Sequence, residues 1–490
     1  MISLFLILFP MAAGMLHFFL KDGKTARSFA LFSSLATLVI ALLGLTVYSQ
    51  PEQHSFSRPW LTILGSSFSL QADGMGKVLT LLNAVAYPLV ILGTWQRVYA
   101  QPGRFFGLML LAQAGMMGVF LTTDALLFYF FWELALIPMY FLASQWGGER
   151  RIPVTFKFFI YTFAGSVLML AGLLYLQTQT ADHSFSMAAF HKLKLHSATQ
   201  LKLFWLFFVA FAIKMPVFPF HTWQPDTYEQ APAATTMILS GVMVKMGLLG
   251  LARWLMPVLP VASYQWGDVV MSLSVIGIIY ASLIAIRQDD LKRLVAYSSI
   301  AHIGLMSAAL FAENLSATQG VMIQMFNHGI NIIGLWILID IIERRYGTRK
   351  ISELGGIARQ APVLAVFFVV IALANIALPL TNAFPGEFLM FNGILGAKSK
   401  YYILFVILAG LGIILAAVYT LNMIRRCFYG EPGTLSAAGG DLQAHEKWVL
   451  GIIVGLILWM GIYPQSLLGL SEGFSLQWLE RIDISYLFRK

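Results

Sequence analysis

Long apolar runs recur along this chain from residue 2 to about residue 466. Each run covers roughly 18 or more residues, which is enough to cross the hydrocarbon core of a bilayer as a helix. The runs are continuously apolar and lack the alternation of barrel strands, so we predict an all-α membrane protein with about 14 transmembrane helices. The predicted spans are 2–20, 28–48, 76–96, 105–123, 125–145, 154–177, 201–222, 232–255, 267–287, 291–312, 317–342, 362–395 (broken), 401–424 and 446–466.

Composition excludes several kinds of chemistry. Hydrophobic residues make up 58% of the chain and charged residues 11%, whereas a soluble domain has about 25% charged residues. The single cysteine, Cys427, excludes an iron–sulfur cluster and an internal disulfide, and neither a dinucleotide-binding glycine motif nor a Walker A sequence is present. We therefore expect any redox chemistry to take place outside this chain. Three histidines in one polar loop have a spacing that fits no known metal-ligand pattern, so no metal site is predicted there: His183, His191 and His196.

Lysine and arginine residues are concentrated in alternate connections between the predicted helices. Because short cytoplasmic loops are enriched in these residues, we expect the basic connections to face the cytoplasm and both termini to face the other side. The net charge of +9 is then mainly a topology signal, and no soluble face is large enough for a nucleic-acid surface. The first run has neither the basic segment nor the cleavage site of a signal peptide, so we expect a retained helix. The basic connections contain Lys21, Lys24, Arg27, Arg97, Arg104, Arg150, Arg151, Arg287, Lys292, Arg293, Arg344, Arg345, Arg349, Lys350, Arg359, Arg425, Arg426 and Lys447.

Four ionisable residues lie inside the apolar runs: Glu133, Lys214, Lys245 and Glu387. A charge near the centre of a bilayer costs roughly 3 kcal/mol on insertion scales, so such residues usually serve a function. Glu133 is placed to act as a counter-ion to Lys214, because a nearby carboxylate favours the charged form of a buried lysine whereas burial disfavours it. The structural alternatives are a protonated, hydrogen-bonded carboxyl group and lysines that extend to the lipid headgroups.

Two of the predicted helices are interrupted by prolines, at residues 211–221 and 378–387. Each interruption also carries an ionisable residue, and such unwinding is tolerated in a membrane only where protein or water satisfies the freed carbonyl groups. The interruptions fall at the fourth position of two consecutive five-helix blocks, which predicts two inverted five-helix repeats with sites at the broken helices. The simpler alternative is that the prolines only kink packed helices. The predicted division is residues 1–104 (helices 1–3), 105–255 (first repeat, helices 4–8), 256–427 (second inverted repeat, helices 9–13) and 428–490 (last transmembrane helix and a short C-terminal tail).

Three histidines lie within or beside apolar runs: His221, His302 and His328. Histidine titrates near neutral pH, so a row of histidines can relay protons between buried lysines through water. The alternative is a hydrogen-bonded core residue, which is the commoner role of a lone buried histidine. The hydroxyl groups of residues 297–299 are further candidate links. Two acidic residues after the first interruption either cap that turn or form a funnel for protons: Asp226 and Glu229.

Six segments combine these charges, prolines and histidines: Phe-Trp132-Glu133-Leu with Pro138-Met-Tyr; Phe211-Ala-Ile-Lys214-Met-Pro216 through His221-Thr-Trp-Gln-Pro225-Asp226; Ala231-Pro232; Lys245-Met-Gly; Gln288-Asp-Asp290-Leu-Lys-Arg293-Leu-Val-Ala-Tyr297-Ser-Ser-Ile-Ala-His302-Ile-Gly; and Phe326-Asn-His328-Gly. Together these segments resemble the antiporter-like subunits of respiratory complex I. The resemblance covers most of the chain. It implies that the chain shares the fold and the general activity of those subunits.

Glu387 indicates a branch within that family. Relatives equivalent to the fourth mitochondrial membrane subunit carry glutamate in the second broken helix, as in Phe384-Pro385-Gly386-Glu387-Phe here, whereas NuoL, NuoN and Mrp antiporter relatives usually have lysine. NuoL-type subunits also add a long lateral helix, for which residues 467–490 are too short. The resemblance therefore favours the branch with glutamate.

A proton channel is the activity that this resemblance implies. The implied roles are a modulating ion pair (Glu133 and Lys214), a central carrier (Lys245), a relay (His302 and His328, with His221 as an additional candidate) and an outlet gate (Glu387). NADH oxidation and quinone reduction, with FMN, iron–sulfur clusters and quinone, would belong to other subunits, so this chain is expected to carry no cofactor and no metal. The implied partners are NuoL-like and NuoN-like membrane-arm subunits, the lipid bilayer, protons and internal water.

Two other functions are compatible with the same pattern. A subunit of an Mrp-type sodium/proton antiporter shares the lysine and glutamate positions, although Glu387 argues against it. A structural membrane-arm subunit without its own channel would keep the helices but not need the charges. In each case we expect a multi-pass protein of an energy-coupling membrane, most simply a bacterial inner membrane.

Overall fold

The computed structural model describes residues 1–46, 55–431 and 440–484, and this part of the chain is almost entirely helical. The end of the second predicted span and the last residues of the predicted tail lie outside the described residues. Two short strands, β1 (Phe56–Pro59) and β2 (Ser67–Leu70), form an antiparallel hairpin. The helices are α1 (Ile2–His17), α2 (Gly23–Thr46), α3 (Gly74–Gly93), α4 (Pro102–Leu121), α5 (Ala125–Trp146), α6 (Arg151–Gln179), α7 (Met187–Phe190), α8 (Ser197–Lys214), α9 (Trp223–Gln230), α10 (Ala233–Ile238), α11 (Lys245–Gly250), α12 (Pro260–Arg287), α13 (Leu291–Leu310), α14 (Leu315–Tyr346), α15 (Pro362–Asn375), α16 (Ala383–Leu395), α17 (Tyr402–Phe428), α18 (Ala444–Ile462) and α19 (Gln465–Ile482).

The number of membrane spans agrees with the prediction. Within the described residues, 12 helices are long and apolar enough to cross a membrane. Two shorter apolar helices, α1 and α15, bring the set to about 14. The all-α fold class is therefore confirmed, and the chain is a multi-pass membrane protein.

Both predicted interruptions are present as breaks between helices. Helix α8 ends at Lys214 and α9 begins at Trp223, while α15 ends at Asn375 and α16 begins only at Ala383. In the second break Ala377 and Leu380 have φ angles of 57° and 73°, a left-handed conformation that costs a residue other than glycine roughly 1–2 kcal/mol. The break is therefore held by the surrounding structure. The inverted relation between the two five-helix repeats stays a prediction.

Acidic and amide side chains start several of the helices. The Asp124 carboxylate accepts hydrogen bonds from the backbone N–H groups of Leu126 and Leu127 at 3.1 and 3.0 Å. Asp290 accepts from the first turn of α13 and Asn314 from the first turn of α14 in the same way. Side-chain oxygens at this position satisfy N–H groups that have no partner within the helix. These caps fix where the spans begin.

The connections that are rich in basic residues meet at one end of the bundle, which we call the arginine-rich end. There Arg97 contacts Asp340 at 2.7 Å, and Arg349 contacts Glu229 at 2.9 Å. Lys292 joins the same network through a 2.9 Å contact with Glu343. The charge pattern therefore predicted correctly which connections share an end.

The C-terminal segment, for which the sequence predicts a short tail, is helical. It forms an 18-residue helix, α19, which packs against α3 and α14. Its buried residues, Leu467, Ser471, Ser475, Trp478 and Ile482, recur at helical spacing on one face. The Trp478 indole N–H donates to the carbonyl oxygen of Ala252 at 2.7 Å. This one-sided pattern was visible in the sequence, but the segment is too polar for a hydropathy search to find it.

Candidate functional site

Lys245 lies at an irregular point of a fully buried helix. The helix Ala233–Leu255 contains two π-helical turns, Leu239–Met243 and Leu251–Leu255, and Lys245 follows the first of them. π-turns are rare and frequently occur at functional sites. The Lys245 side chain is fully shielded from solvent, and its Nζ donates to the carbonyl oxygen of Ser240 at 2.9 Å. The backbone therefore departs from regular α-helical hydrogen bonding next to Lys245, and a carbonyl group of the π-turn accepts a hydrogen bond from its ammonium group.

His328 of α14 is the second partner of that ammonium group. Lys245 Nζ lies 2.9 Å from His328 Nδ1, and His328 Nε2 lies 3.3 Å from the Ser299 hydroxyl. A charged lysine can only donate, so its contact requires an unprotonated Nδ1, which leaves Nε2–H to donate to Ser299. The imidazole therefore links the lysine to α13 through two different ring nitrogens.

His302 and Glu387 continue this polar row. The rings of His328 and His302 are 5.7 Å apart between centroids, and His302 Nδ1 lies 3.3 Å from the Glu387 carboxylate. Asn375, the last residue of α15, lies 3.3 Å from His302 Nε2. Side chains from four helices thus converge, because α15 and α16 are separated at the second break.

The structure brings together four of the predicted site residues in this row: Lys245, His328, His302 and Glu387. Each is at most 8% exposed, although each carries an ionisable group. Buried ionisable groups in membrane proteins face the bundle interior or a hydrated path, and mark ion or proton routes. The arrangement can therefore hold a proton at several successive atoms.

Glu133 and Lys214 are neighbours but do not form a direct ion pair. The Glu133 Oε1 atom and the Lys214 Nζ atom are both buried and have no hydrogen-bond partner among the described residues. Lys214 Nζ instead lies 5.3 Å from the ring centroid of Trp132, the residue before Glu133. The predicted ion pair between Glu133 and Lys214 is therefore not formed in this structure, and we call this pair open.

The first break also contacts the helix that carries Lys245. A Cβ atom on Gly247 of α11 would lie 2.7 Å from the Met215 side chain, so only glycine allows α8 to approach this closely. The two lysines consequently lie on elements that pack directly together. His221, in the same break, is 3% exposed, and its ring packs on Phe218 and Tyr280. No contact among the described residues joins His221 to the row at Lys245.

Asp226 and Glu229 belong to the ion network at the arginine-rich end. Asp226 contacts Lys157 at 2.9 Å and Arg293 at 3.1 Å, and Glu229 contacts Arg293 at 2.9 Å. Burial by itself raises the pKa of Asp226, but hydrogen bonds and charge from Lys157 and Arg293 outweigh it and lower that pKa. An anion held in this way exchanges protons poorly at neutral pH. Of the two interpretations, the geometry favours a structural role over a proton funnel.

Several contributors to the site had no clear signal in the sequence. Asn375 also donates to the Ser298 hydroxyl at 3.2 Å, and the Tyr419 hydroxyl donates to the same oxygen at 3.0 Å. Gln324 lies 3.5 Å from the Glu387 carboxylate. Ser298 and Ser299 are two of the predicted hydroxyl links. Ser298 contacts Asn375 and Tyr419, and Ser299 contacts His328. Tyr297 instead has a side-chain hydrogen bond with Arg293.

Comparison with known proteins identifies the family. The family described as NADH:quinone oxidoreductase/Mrp antiporter, transmembrane, matches residues 122–416, which include every predicted site residue. NADH-quinone oxidoreductase subunit M of Rickettsia prowazekii is 36% identical over 454 residues, covering 91% of each chain. F(420)H(2) dehydrogenase subunit M of Methanosarcina mazei is 35% identical over 484 residues, covering 94% of this chain and 95% of the relative.

A solved structure shares both the fold and part of the sequence. It is a chain in respiratory complex I from Thermus thermophilus with bound NADH, which has a TM-score of 0.89 and 27% identity and covers 98% of this chain and 100% of that one. The family match spans more than half of the chain, and its curated relatives align over about nine-tenths of both lengths. This chain therefore belongs to the NADH:quinone oxidoreductase/Mrp antiporter family of membrane subunits, alongside relatives that are subunits M.

Proposed function

We propose that this chain is the proton-translocating subunit M of the membrane arm of a respiratory NADH:quinone oxidoreductase. The observation that carries this proposal is the buried row from Lys245 through His328 and His302 to Glu387. A merely structural subunit would have no need to place four ionisable side chains in contact inside a membrane, where each is costly. Quinone reduction takes place in other subunits, and this chain contributes the proton movement.

The row passes protons by successive hydrogen-bond exchange. A proton moves from Lys245 Nζ to His328 Nδ1 across 2.9 Å, so that His328 briefly holds two protons while its Nε2–H still donates to the Ser299 hydroxyl. Rotation of the His328 ring, with water between the two rings, then carries the proton to His302. Glu387 receives it across 3.3 Å. Each histidine accepts at one nitrogen and donates at the other, so the row can carry protons in sequence.

Glu133 and Lys214 modulate this transfer electrostatically. When the Glu133 carboxylate approaches, it favours the charged form of Lys214; when it withdraws, burial disfavours that charge and a proton moves toward Lys245. The open pair described above corresponds to the second condition. The close packing of Met215 on Gly247 provides a direct mechanical link between the two lysine-bearing elements.

The remaining assignments follow from the same proposal. The arginine-rich end faces the cytoplasm, both termini face the other side, and the membrane is a bacterial inner membrane. NuoL-like and NuoN-like subunits are the neighbours in the membrane arm. FMN, iron–sulfur clusters and quinone are bound by other subunits, and this chain binds none of them.

The test is Lys245→Ala in the assembled complex in its own membrane, with Lys194→Ala, a change in an exposed loop, as the control. We expect Lys245→Ala to reduce proton pumping per electron and to slow coupled quinone reduction, while the control matches the wild type. Blue-native gels check that both variants assemble. Unchanged pumping by assembled Lys245→Ala would refute the proposal and favour a structural subunit.

The matching family includes subunits of NADH:quinone oxidoreductases and of Mrp antiporters. Co-purification distinguishes these two kinds of complex. A tagged chain should retain a quinone oxidoreductase activity with its partners. Recovery of antiporter subunits alone, with sodium/proton exchange in reconstituted vesicles, would assign the chain to an Mrp-type complex instead.

A further inference from the structure

A cavity opens at the end of the bundle opposite the arginine-rich end. It has a volume of about 290 Å³ and lies between the beginning of α12, the α13–α14 connection and the α16–α17 connection. Two acidic residues, Asp268 and Glu313, and two lysines, Lys398 and Lys400, line it. The cavity is open to solvent, and nothing in the proton row described above reaches it directly.

The seam between α12 and α13 leads from this cavity to the buried row. Met271 and Phe311 line the cavity from these two helices. One turn deeper, the Ser274 hydroxyl donates to the Ser307 hydroxyl at 3.1 Å, and both residues are fully buried. Hydroxyl groups both donate and accept, so this pair is suited to pass a proton along the seam.

A smaller cavity lies one further turn inside the same seam. Its lining includes Ile278 and Leu305 from α12 and α13, together with His302 and Glu387. His302 and Phe311 are separated by about 13 Å along the axis of α13. The outer cavity, the serine pair and the inner cavity therefore follow one line along α12 and α13, and α17 forms one side of the inner cavity.

Glu313 is the group in the outer cavity best suited to exchange protons. Burial raises its pKa to about 7, although the positive charge of Lys398 acts in the opposite direction. The other titratable groups that line the same cavity are Tyr264 and Asp268 from α12 and Lys400 from the α16–α17 connection. A carboxyl group of this kind changes its charge within the physiological pH range.

We propose that Glu313 is the last proton-carrying residue of this chain: it takes up protons that leave His302 and Glu387 along the α12–α13 seam and releases them into the outer cavity. The proposal rests on the proton-translocating function proposed above and specifies where the proton leaves. No covalent step is involved. The carboxylate accepts one proton from the seam and gives one proton to solvent.

The first experiment uses Glu313→Gln in the complete complex in inverted membrane vesicles, whose lumen corresponds to the outlet side. Asp182→Asn, an exposed acidic residue at the same end, is the matched control. Proton release into the lumen should slow by at least about tenfold, because a positioned acid–base group typically contributes 10²–10⁴-fold to proton transfer. The wild type and the control should release protons at the same rate. Their release rate, measured as a function of lumen pH, should have an inflection near pH 7, and the profile of Glu313→Gln should lack it.

The second variant, Lys398→Met, keeps the carboxyl group and removes the charge that holds its pKa down. The pKa of Glu313 should then rise, and the inflection should move to higher lumen pH. This shift decides the question even if Glu313→Gln fails to assemble.

The possible outcomes separate the outlet from the function itself. Wild-type rates and an unshifted profile in the assembled variants, with pumping abolished by Lys245→Ala, would overturn the outlet at Glu313 and leave the proposed function standing. If Lys245→Ala also pumps normally, both proposals are wrong.

Discussion

Replacing His328 by leucine removes one of the two partners of the Lys245 ammonium group and keeps an apolar side chain in its place. The lost contact is 2.9 Å long and joins a group that carries charge in at least one state of the cycle. Hydrogen bonds to charged groups contribute about 1.5–3 kcal/mol. With about 1.4 kcal/mol per factor of ten, the equilibrium for placing a proton on this pair changes by about 10- to 100-fold.

Ser299→Ala provides a graded comparison in the same row. Its hydroxyl contacts His328 Nε2 at 3.3 Å, and a neutral hydrogen bond contributes about 0.5–1.5 kcal/mol, which corresponds to about 2- to 10-fold. The expected order of proton-pumping rates is therefore wild type, then Ser299→Ala, then His328→Leu. His445→Leu, in the first turn of α18, serves as the matched control and should pump at the wild-type rate.

The assay records quinone reduction and vesicle acidification in the same membranes, after the amount of assembled complex has been measured. Both rates are needed because a slower electron flow alone would also lower acidification. If assembled His328→Leu pumped within about twofold of the wild type, a difference equivalent to only about 0.4 kcal/mol, the Lys245–His328 contact would not lie on the proton route.

Three further predictions concern stability. Asp73 contacts Arg253, which is only 2% exposed, at 2.6 Å. Asp73→Ala should lower the free energy of unfolding by about 3–5 kcal/mol, measured by thermal denaturation in detergent, because it leaves a buried charge without its partner. Asp73→Asn should lower the free energy of unfolding less, because asparagine can still cap α3. Gly393→Ala should destabilise the protein by about 1–3 kcal/mol, because the new Cβ would lie 2.3 Å from a side chain of α14. Gly410→Ala, whose Cβ would have nothing within 4 Å, should stabilise the protein by up to about 1 kcal/mol. Equal effects of the two variants in the same assay would contradict the close packing of Gly393 on α14. Burial and nearby arginine charges lower the pKa of His191 to about 4, so stability should be complete above about pH 6.5 and fall by up to about 3 kcal/mol as the pH drops toward 4. His191→Asn should flatten that pH profile, and an unchanged profile would refute the assignment.

The row at Lys245 shows how far the sequence alone could locate the candidate site. Charges and histidines inside apolar runs stand out individually, so Lys245, His302, His328 and Glu387 were all identifiable. Their roles as carrier, relay and gate stay predictions. Asn375 was not identifiable, because an amide at the end of an apolar helix has no distinguishing pattern before its neighbours are known.

The sequence by itself determined the features that depend on neighbouring residues along the chain. Apolar runs of sufficient length set the spans, prolines set the two breaks, and the distribution of lysine and arginine set which connections share an end. These are local properties, because transfer of a segment into a bilayer depends mainly on its own side chains and backbone.

Only the tertiary structure decided how the helices are rotated and paired. The helix Ala233–Leu255 is buried on all sides, so its sequence carries no one-sided pattern that could indicate which face meets His328. That contact joins residues 83 positions apart and depends on π-turns and on glycine contacts between helices. The outer cavity likewise forms from the beginning of α12 and two connections that are far apart in the sequence. In a helix that is apolar on every face, the direction of a polar side chain is fixed by packing rather than by the hydrophobic effect of water.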